Sequence, residues 1–262
     1  MSITDIFEET SKKMMNKNMT GDTIIPGVMI GIVVENNNNK FPGMIRVKIP
    51  TRDDKKNIFQ WMKVISVAGG KNWGMYCLPE IGEEVVVVFE NGNINKAYVI
   101  GSIFKNDSQV LSDGFSDENY KKIFLTKGGN KIFIDDETDK QKVIVSTKEG
   151  HSVSLDDEDK SILLKDKDKK NIIKIDSENG KINIMSESKL EIDIGGIKIE
   201  MIGDSKKITV KCDSLDIDSS RVKVEGDNIS IKATTFDVSA LSSAKIASNG
   251  LTQIKGSTVK LS

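Results

Sequence analysis

The side chains best suited to chemistry are scarce in this chain. There is one histidine, His151, and there are two cysteines, Cys77 and Cys212. The cysteines lie far apart in sequence, so a disulfide framework is not expected, and synthesis in a reducing cytoplasm is the simplest reading. His151 occupies a position that Asn130 and Asn171 hold in neighbouring copies of an internal repeat. It therefore reads as a turn residue, and a histidine that begins a surface turn is poorly placed to hold a metal. The acidic runs Asp135-Asp136-Glu137 and Asp156-Asp157-Glu158-Asp159 raise the thought of calcium. They lack the glycine and terminal glutamate of an EF-hand loop. They also stand where the repeat needs turns, and aspartate favours turns by bonding nearby backbone. Paired carboxylates of the glycosidase kind would have to meet in a cleft, whereas these acids recur as spaced turn residues. No GxSxG, HExxH, Walker A or GxGxxG pattern is present. No catalytic residue, metal ligand or cofactor site is assigned on this reading, and the chain is expected not to be an enzyme.

The elements that carry these residues are strands. Apolar pairs straddling one residue recur at Ile123/Leu125, Ile132/Ile134, Val143/Val145, Val153/Leu155, Ile162/Leu164, Ile173/Ile175, Ile182/Ile184 and Ile192/Ile194. Their spacing is near ten residues. A longer repeat of about 20 residues overlies them: Thr126-Lys127-Gly128-Gly129-Asn130 leads to Ile132-Phe133-Ile134-Asp135-Asp136-Glu137, and Thr147-Lys148-Glu149-Gly150-His151 leads to Val153-Ser154-Leu155-Asp156-Asp157-Glu158. A degraded third copy runs from Asn171 to Ile173-Lys174-Ile175-Asp176. Further on the spacing tightens to seven residues, with pairs at Ile208/Val210, Leu215/Ile217, Val222/Val224, Ile229/Ile231 and Phe236/Val238. Fixed periods of this kind mean a stacked array of short strands.

A seven-residue unit offers one short apolar face and one turn, and a lone chain would leave that stripe wet. Three chains could each supply one face of a prism whose aliphatic side chains meet on a common axis. Ile208, Val210, Leu215, Ile217, Val222, Val224, Ile229, Ile231, Phe236 and Val238 are the expected core of such a homotrimer. Strands stacked about 4.7–4.9 Å apart would give a shaft stiff along its length.

The earlier part of the chain has a different pattern. Residues 4–17 read as a short helix capped by Thr4 or Asp5, with a thin apolar face of Ile6, Phe7 and Met14. A linker follows to Pro26. Five strands are then expected in about 80 residues: Val28–Val34, Gly43–Pro50, Phe59–Val67, Glu84–Glu90 and Lys96–Ile103. Glu84–Glu90 is a continuous apolar run, as for a strand covered on both faces, and Asn91-Gly92 is a hairpin signal. Five strands without a long helix suggest a small closed barrel. Trp61 is expected to pack in its core. Residues 105–121 form a polar connector too short for another domain. The segments are therefore 1–25 helix and linker, 26–104 barrel, 105–121 connector, 122–194 the ten-residue-spaced part and 195–262 the tighter part.

Composition narrows the function classes. The chain is 37% hydrophobic and 29% charged with a net charge of -1, which suits a folded protein and argues against a dedicated nucleic-acid binder. No apolar run reaches membrane-spanning length, and Met1-Ser2-Ile3-Thr4-Asp5 does not begin like a secretory signal.

The barrel half resembles a known family. The order Gly27-Val28, Gly43-Met44-Ile45-Arg46-Val47-Lys48-Ile49-Pro50, Trp61-Met62-Lys63-Val64 and Ala68-Gly69-Gly70-Lys71-Asn72-Trp73-Gly74 is followed by Pro79-Glu80-Ile81-Gly82-Glu83-Glu84-Val85-Val86-Val87-Val88-Phe89. Gly92-Asn93 and Tyr98-Val99-Ile100-Gly101-Ser102-Ile103 complete it. This is similar to the central spike of contractile injection systems, the phage baseplate assembly protein V and VgrG spikes. The resemblance implies an all-β fold, with an N-terminal OB-type five-stranded barrel followed by an intertwined trimeric β-helix, a triangular prism, as the needle. It implies a homotrimer made in the cytoplasm and assembled into the baseplate of a phage tail or phage-tail-like particle. The spike would pierce the target cell envelope on sheath contraction. Implied partners are a separate hub protein below the barrel and, as a hypothesis, a PAAR-like tip protein; no nucleic acid is implied. The C-terminal Val259-Lys260-Leu261-Ser262 lacks the His-x-His motif of some iron-capped tips. The competing reading is a glycan-binding or glycan-cleaving β-helix protein, an adhesin or lyase. It would need clustered acids or aromatics in a cleft.

Overall fold

A computed structural model describes residues 24–25, 27–51 and 61–260. The helix expected over 4–17 lies outside these residues, as do Pro26, residues 52–60, Leu261 and Ser262. The chain divides into two compact units. One holds the residues up to Leu190 together with Met201–Lys207, and the other holds Glu191–Glu200 and the residues from Ile208 onward.

The first unit begins with a barrel. Strands β1 (Val28–Glu35), β2 (Met44–Lys48), β3 (Met62–Val64), β4 (Glu84–Phe89) and β5 (Ala97–Ser102) close in the order β1-β2-β3-β5-β4. All neighbours are antiparallel except β3 and β5, which is the OB arrangement. The strands form because β-branched residues alternate inward along them. Val33, Ile45, Val47, Ile49, Val85, Val87 and Val99 are fully buried, with Ile25, Met62 and Phe89 beside them. In β4 only alternate residues are fully buried; Val86 and Val88 are half-buried on the outer face. The unbroken apolar run therefore reflects a strand with one dry face, not two.

Gly31 sits in β1 where Val47 and Ile49 cross the barrel interior. A Cβ there would lie 2.1 Å from Val47 Cγ1 and 3.0 Å from Ile49 Cδ1. Glycine in mid-strand marks this close approach.

The Asn91-Gly92 signal does turn the chain, but not as a two-residue hairpin. Phe89 pairs with Ala97, so the connection spans 90–96 and contains a short 3-10 turn, Glu90–Gly92. Asn91 and Gly92 both have positive φ, 51° and 73°. The longer loop has a use. Gly92 accepts a hydrogen bond from the Ile25 N–H at 2.8 Å, and Ile24 bridges Asn93, so the incoming chain is pinned to the barrel end. Trp61 is half-buried and stacks on Phe41 with ring centroids 5.4 Å apart. It is not part of the buried core.

After the barrel, the connector holds a one-turn helix α1 (Gln109–Gly114) that the polar composition of this segment did not suggest. It packs on β6, with Asp113 ion-paired to Lys131 at 3.2 Å. Seven strands then form one antiparallel meander: β6 (Lys121–Leu125), β7 (Lys131–Asp135), β8 (Lys142–Ser146), β9 (Ser152–Asp156), β10 (Ser161–Lys165), β11 (Ile172–Asp176) and β12 (Lys181–Met185). Each is five residues long.

Three further strands, β13 (Lys189–Ile194), β14 (Ile197–Ile202) and β15 (Lys207–Lys211), form a separate sheet in that order. From Cys212 to Lys260 the chain makes no strand. The short strands expected at 215–217, 222–224, 229–231 and 236–238 have no ladder partner among the described residues. No helix among the described residues is long and apolar enough to cross a membrane.

Candidate functional site

The meander places its aliphatic residues on one face by strict register. Directly opposed residues of an antiparallel pair share a face. Ile134, Val143, Leu155, Ile162, Ile175 and Ile182 are joined in one column, and Ile132, Val145, Val153, Leu164, Ile173 and Ile184 in a second. Most of these side chains are exposed, and Ile182 is 68% exposed. Between Val145 and Leu190 the second column floors an open groove of about 670 Å³. Soluble chains rarely leave so long an apolar face uncovered.

The first pair does not join this stripe. Ile123 opposes Phe133 and Leu125 opposes Lys131, while Phe124 opposes Ile132. Ile123 and Leu125 therefore turn to the other face, where Ile123 meets the end of α1 near Gly114. The internal repeat held the signal for this. Thr126 stands where Thr147 stands, and that puts Phe124, not its neighbours, in the position of Val145.

The turns account for the acids and the histidine. Thr126 donates its N–H to the Asn130 carbonyl at 2.9 Å, and Thr147 does the same to His151 at 2.9 Å. His151 thus closes a turn as Asn130 does. Gly150 within it has φ +102°, a conformation that a side chain would strain. At the other edge Asp135 accepts the Glu137 N–H, Asp156 the Asp159 N–H and Asp176 the Asn179 N–H, at 3.0–3.1 Å. Successive turns are also tied to one another. Asn130 Oδ1 accepts the Lys148 N–H and Asn171 Oδ1 the Glu187 N–H, both at 3.3 Å. Lys160 pairs with Glu178 at 2.6 Å, and Lys170 with Glu187. Among the described residues no three of His, Cys, Asp and Glu converge as metal ligands.

Asp156 is the most enclosed of these acids. Burial by itself pushes its carboxyl up, but hydrogen bonds from the Asp159 and Glu158 N–H groups and the Lys142 ammonium at 2.6 Å outweigh that. Its pKa falls below the ordinary 3.8. A depressed folded-state pKa stabilises the fold above the unfolded value, and that contribution is lost as pH falls through the folded value. Lowering the pH below about 4 should therefore loosen the meander. Asp156→Asn should flatten this acid limb in thermal melts; an unchanged limb would show that the carboxylate is not coupled to folding.

The ten residues of the seven-residue repeat all belong to the second unit. Ile208 and Val210 lie on β15, while Leu215, Ile217, Val222, Val224, Ile229, Ile231, Phe236 and Val238 lie beyond the last strand. All ten are exposed in the single chain. The sequence reading ran the third strand on to Val67 and used Ala68–Gly74 only as part of the resemblance, but β3 ends at Val64 and residues 65–78 form an arm between β3 and β4. It exposes Val67, Trp73 and Tyr76, and the only hint in the sequence was its near lack of charge.

Residues 29–104 match the family described as the type VI secretion system/phage-baseplate injector OB domain. Three curated relatives are spike proteins of the type VI secretion system of Pseudomonas aeruginosa. VgrG1c is 28% identical over 134 residues, covering 42% of this chain and 18% of that protein. VgrG1b is 24% identical over 126 residues, covering 44% and 17%. VgrG1a is 31% identical over 70 residues, covering 25% and 11%. The chain thus spans less than a fifth of the length of these relatives. The resemblance to injection-system spikes read from the sequence is borne out, as is an all-β fold with an OB barrel followed by further sheets.

Proposed function

We propose that this chain is a non-enzymatic structural spike of a contractile tail or injection particle. Three copies would wind together into a needle that pierces the target cell envelope when the sheath contracts. The observation that carries this reading is the aliphatic face. Two columns of Ile, Val and Leu stand exposed along the meander, and the apolar pairs of the second unit are exposed as well. A side chain of this size contributes roughly 1.5–3 kcal/mol when fully buried. Those on the meander are partly covered already, so each has about half of that still to gain, repeated along the stack.

The segment 212–260 supports the same reading. It has the spacing of strands and no ladder partner among the described residues, which suits a chain whose ladder bonds are made to other copies. Backbone bonds would then run along the axis, and compressive load would fall on stacked strands rather than on side-chain contacts. The injector-type barrel and the similarity to VgrG spikes point to a baseplate setting, with a hub protein on the barrel side and a tip protein at the far end as expected partners. Asp135, Asp156 and Asp176 are engaged in turn bonds and Glu137 and Glu178 in ion pairs, and no cluster of acids or aromatics lines the groove, so the glycan reading gains no support.

Sedimentation equilibrium tests the proposal. The expected mass is three times the 28.9 kDa of one chain, with a species that resists SDS without boiling. A monomer at all concentrations would refute it.

A further inference from the structure

We infer that the arm of residues 65–78 is an interlock that docks into the barrel–meander groove of a neighbouring copy; this rests on the trimeric reading above. The arm is anchored to the barrel at its ends, where the Ile65 N–H bonds the Val99 carbonyl at 2.8 Å and Leu78 packs on the core, and its outer part is held by its own bonds. Gly69 and Gly74 bridge, the Gly70 N–H bonds the Trp73 carbonyl at 2.8 Å, and the Met75 N–H bonds the Ala68 carbonyl at 3.0 Å. Ser66 Oγ ties the base: the Ala68 and Met75 carbonyls lie 2.9 and 2.8 Å from it, and its single proton is shared between them. The Trp73 indole lies flat against Gly70; a Cβ there would meet its Nε1 at 2.4 Å. The ring is thus positioned, yet it remains 68% exposed, beside Val67 at 91% and Tyr76 at 76%. A rigid arm that presents a tryptophan, a tyrosine and a valine to water has the make-up of an interface anchor.

The receiving site is a groove of about 560 Å³ between the barrel and the start of the meander; Cys77 and Leu78, at the foot of the same copy's arm, line one side of it, so the part of the arm that docks is its outer portion around Trp73. Phe104, Val110 and Leu125 give it apolar walls. Its ion pairs, Lys105–Glu83 and Lys127–Glu80, are already satisfied at 3.2 and 3.3 Å. Two charges are left over. Lys71 is the arm's only charged residue, and Asp107 lines the groove. Neither has an ion-pair or hydrogen-bond partner among the described residues. Their opposite signs favour a second copy of this chain as the occupant.

An arm-to-groove contact joins two different patches, and such a contact repeated by rotation closes into a ring. The interlock would lock the barrels in register above the needle.

Chemical crosslinking tests this on the full chain. In a Cys77→Ser/Cys212→Ser background, Lys71→Cys and Asp107→Cys are combined and treated with a short bismaleimide. Most of the chain should move to a three-chain band on boiled denaturing gels, and neither single variant should pass the two-chain band. A protein that sediments as a trimer but gives no three-chain band would overturn the interlock and leave the spike reading standing. A protein that sediments as a monomer would overturn both.

Discussion

Val224→Asp combined with Ile231→Asp should abolish assembly while leaving each barrel folded. Both side chains are exposed in the single chain, at 67% and 65%, so the isolated chain loses little by the change. In the proposed needle the same positions face the axis, and three carboxylates would meet in each of two layers. An unpaired buried charge costs several kcal/mol, and like charges at close range add to it. The expected result is a shift from trimer to monomer in sedimentation velocity and loss of the SDS-resistant band, with far-UV dichroism of the barrel retained. Ser230→Asp is the control. Ser230 stands between Ile229 and Ile231 and points the other way in an extended chain, so it should leave assembly intact. If the double variant remains a stable trimer, these pairs are not the shared core.

Gly31→Ala should cost the barrel about 1–3 kcal/mol, the range for overpacking a well-filled interior. The new methyl would sit 2.1 Å from Val47 Cγ1, and Val47 cannot move away freely. It is fully buried between Ile45 and Ile49, and its branched side chain is stiff at χ1. The usual benefit of replacing glycine in a strand, roughly 0.5–1 kcal/mol, is too small to compensate. For a domain of this size the loss corresponds to a drop of about 4–8 °C in Tm per kcal/mol. Differential scanning calorimetry of the barrel transition measures it. Gly31→Val should be worse, because its extra methyls enter the same space. An unchanged or raised Tm would mean the interior has slack that the packing does not show.

Several features of the molecule could be read locally, because they depend on periods of two residues and on turn chemistry. The alternation in Met44–Lys48 and the apolar run Glu84–Phe89 marked the barrel strands, and the aspartates of the 20-residue repeat were recognisable as turn formers before their backbone bonds were seen. Where local signals failed, pairing decided the outcome. Ile123 and Leu125 look like every other apolar pair, yet the five-residue turn 126–130 fixes a register that puts Phe124 on the aliphatic face. A one-residue difference in register reverses the face of every side chain in a strand, and that choice belongs to the turn.

The sequence by itself determined the kind of structure: short strands, their spacing, the stripe of Ile, Val and Leu, and the order of motifs that resembles an injection-system spike. Only the tertiary structure decided how the barrel closes through the parallel β3–β5 pair. It alone set which residues floor the groove and left Trp73 and Tyr76 standing in solvent. The reason is that hydrophobic patterning says a face must be covered, while hydrogen-bond pairing between segments distant in sequence says what covers it. In the barrel that cover comes from the same chain. Along the aliphatic face of the meander, and from Cys212 to Lys260, the described residues leave most of the apolar side chains exposed.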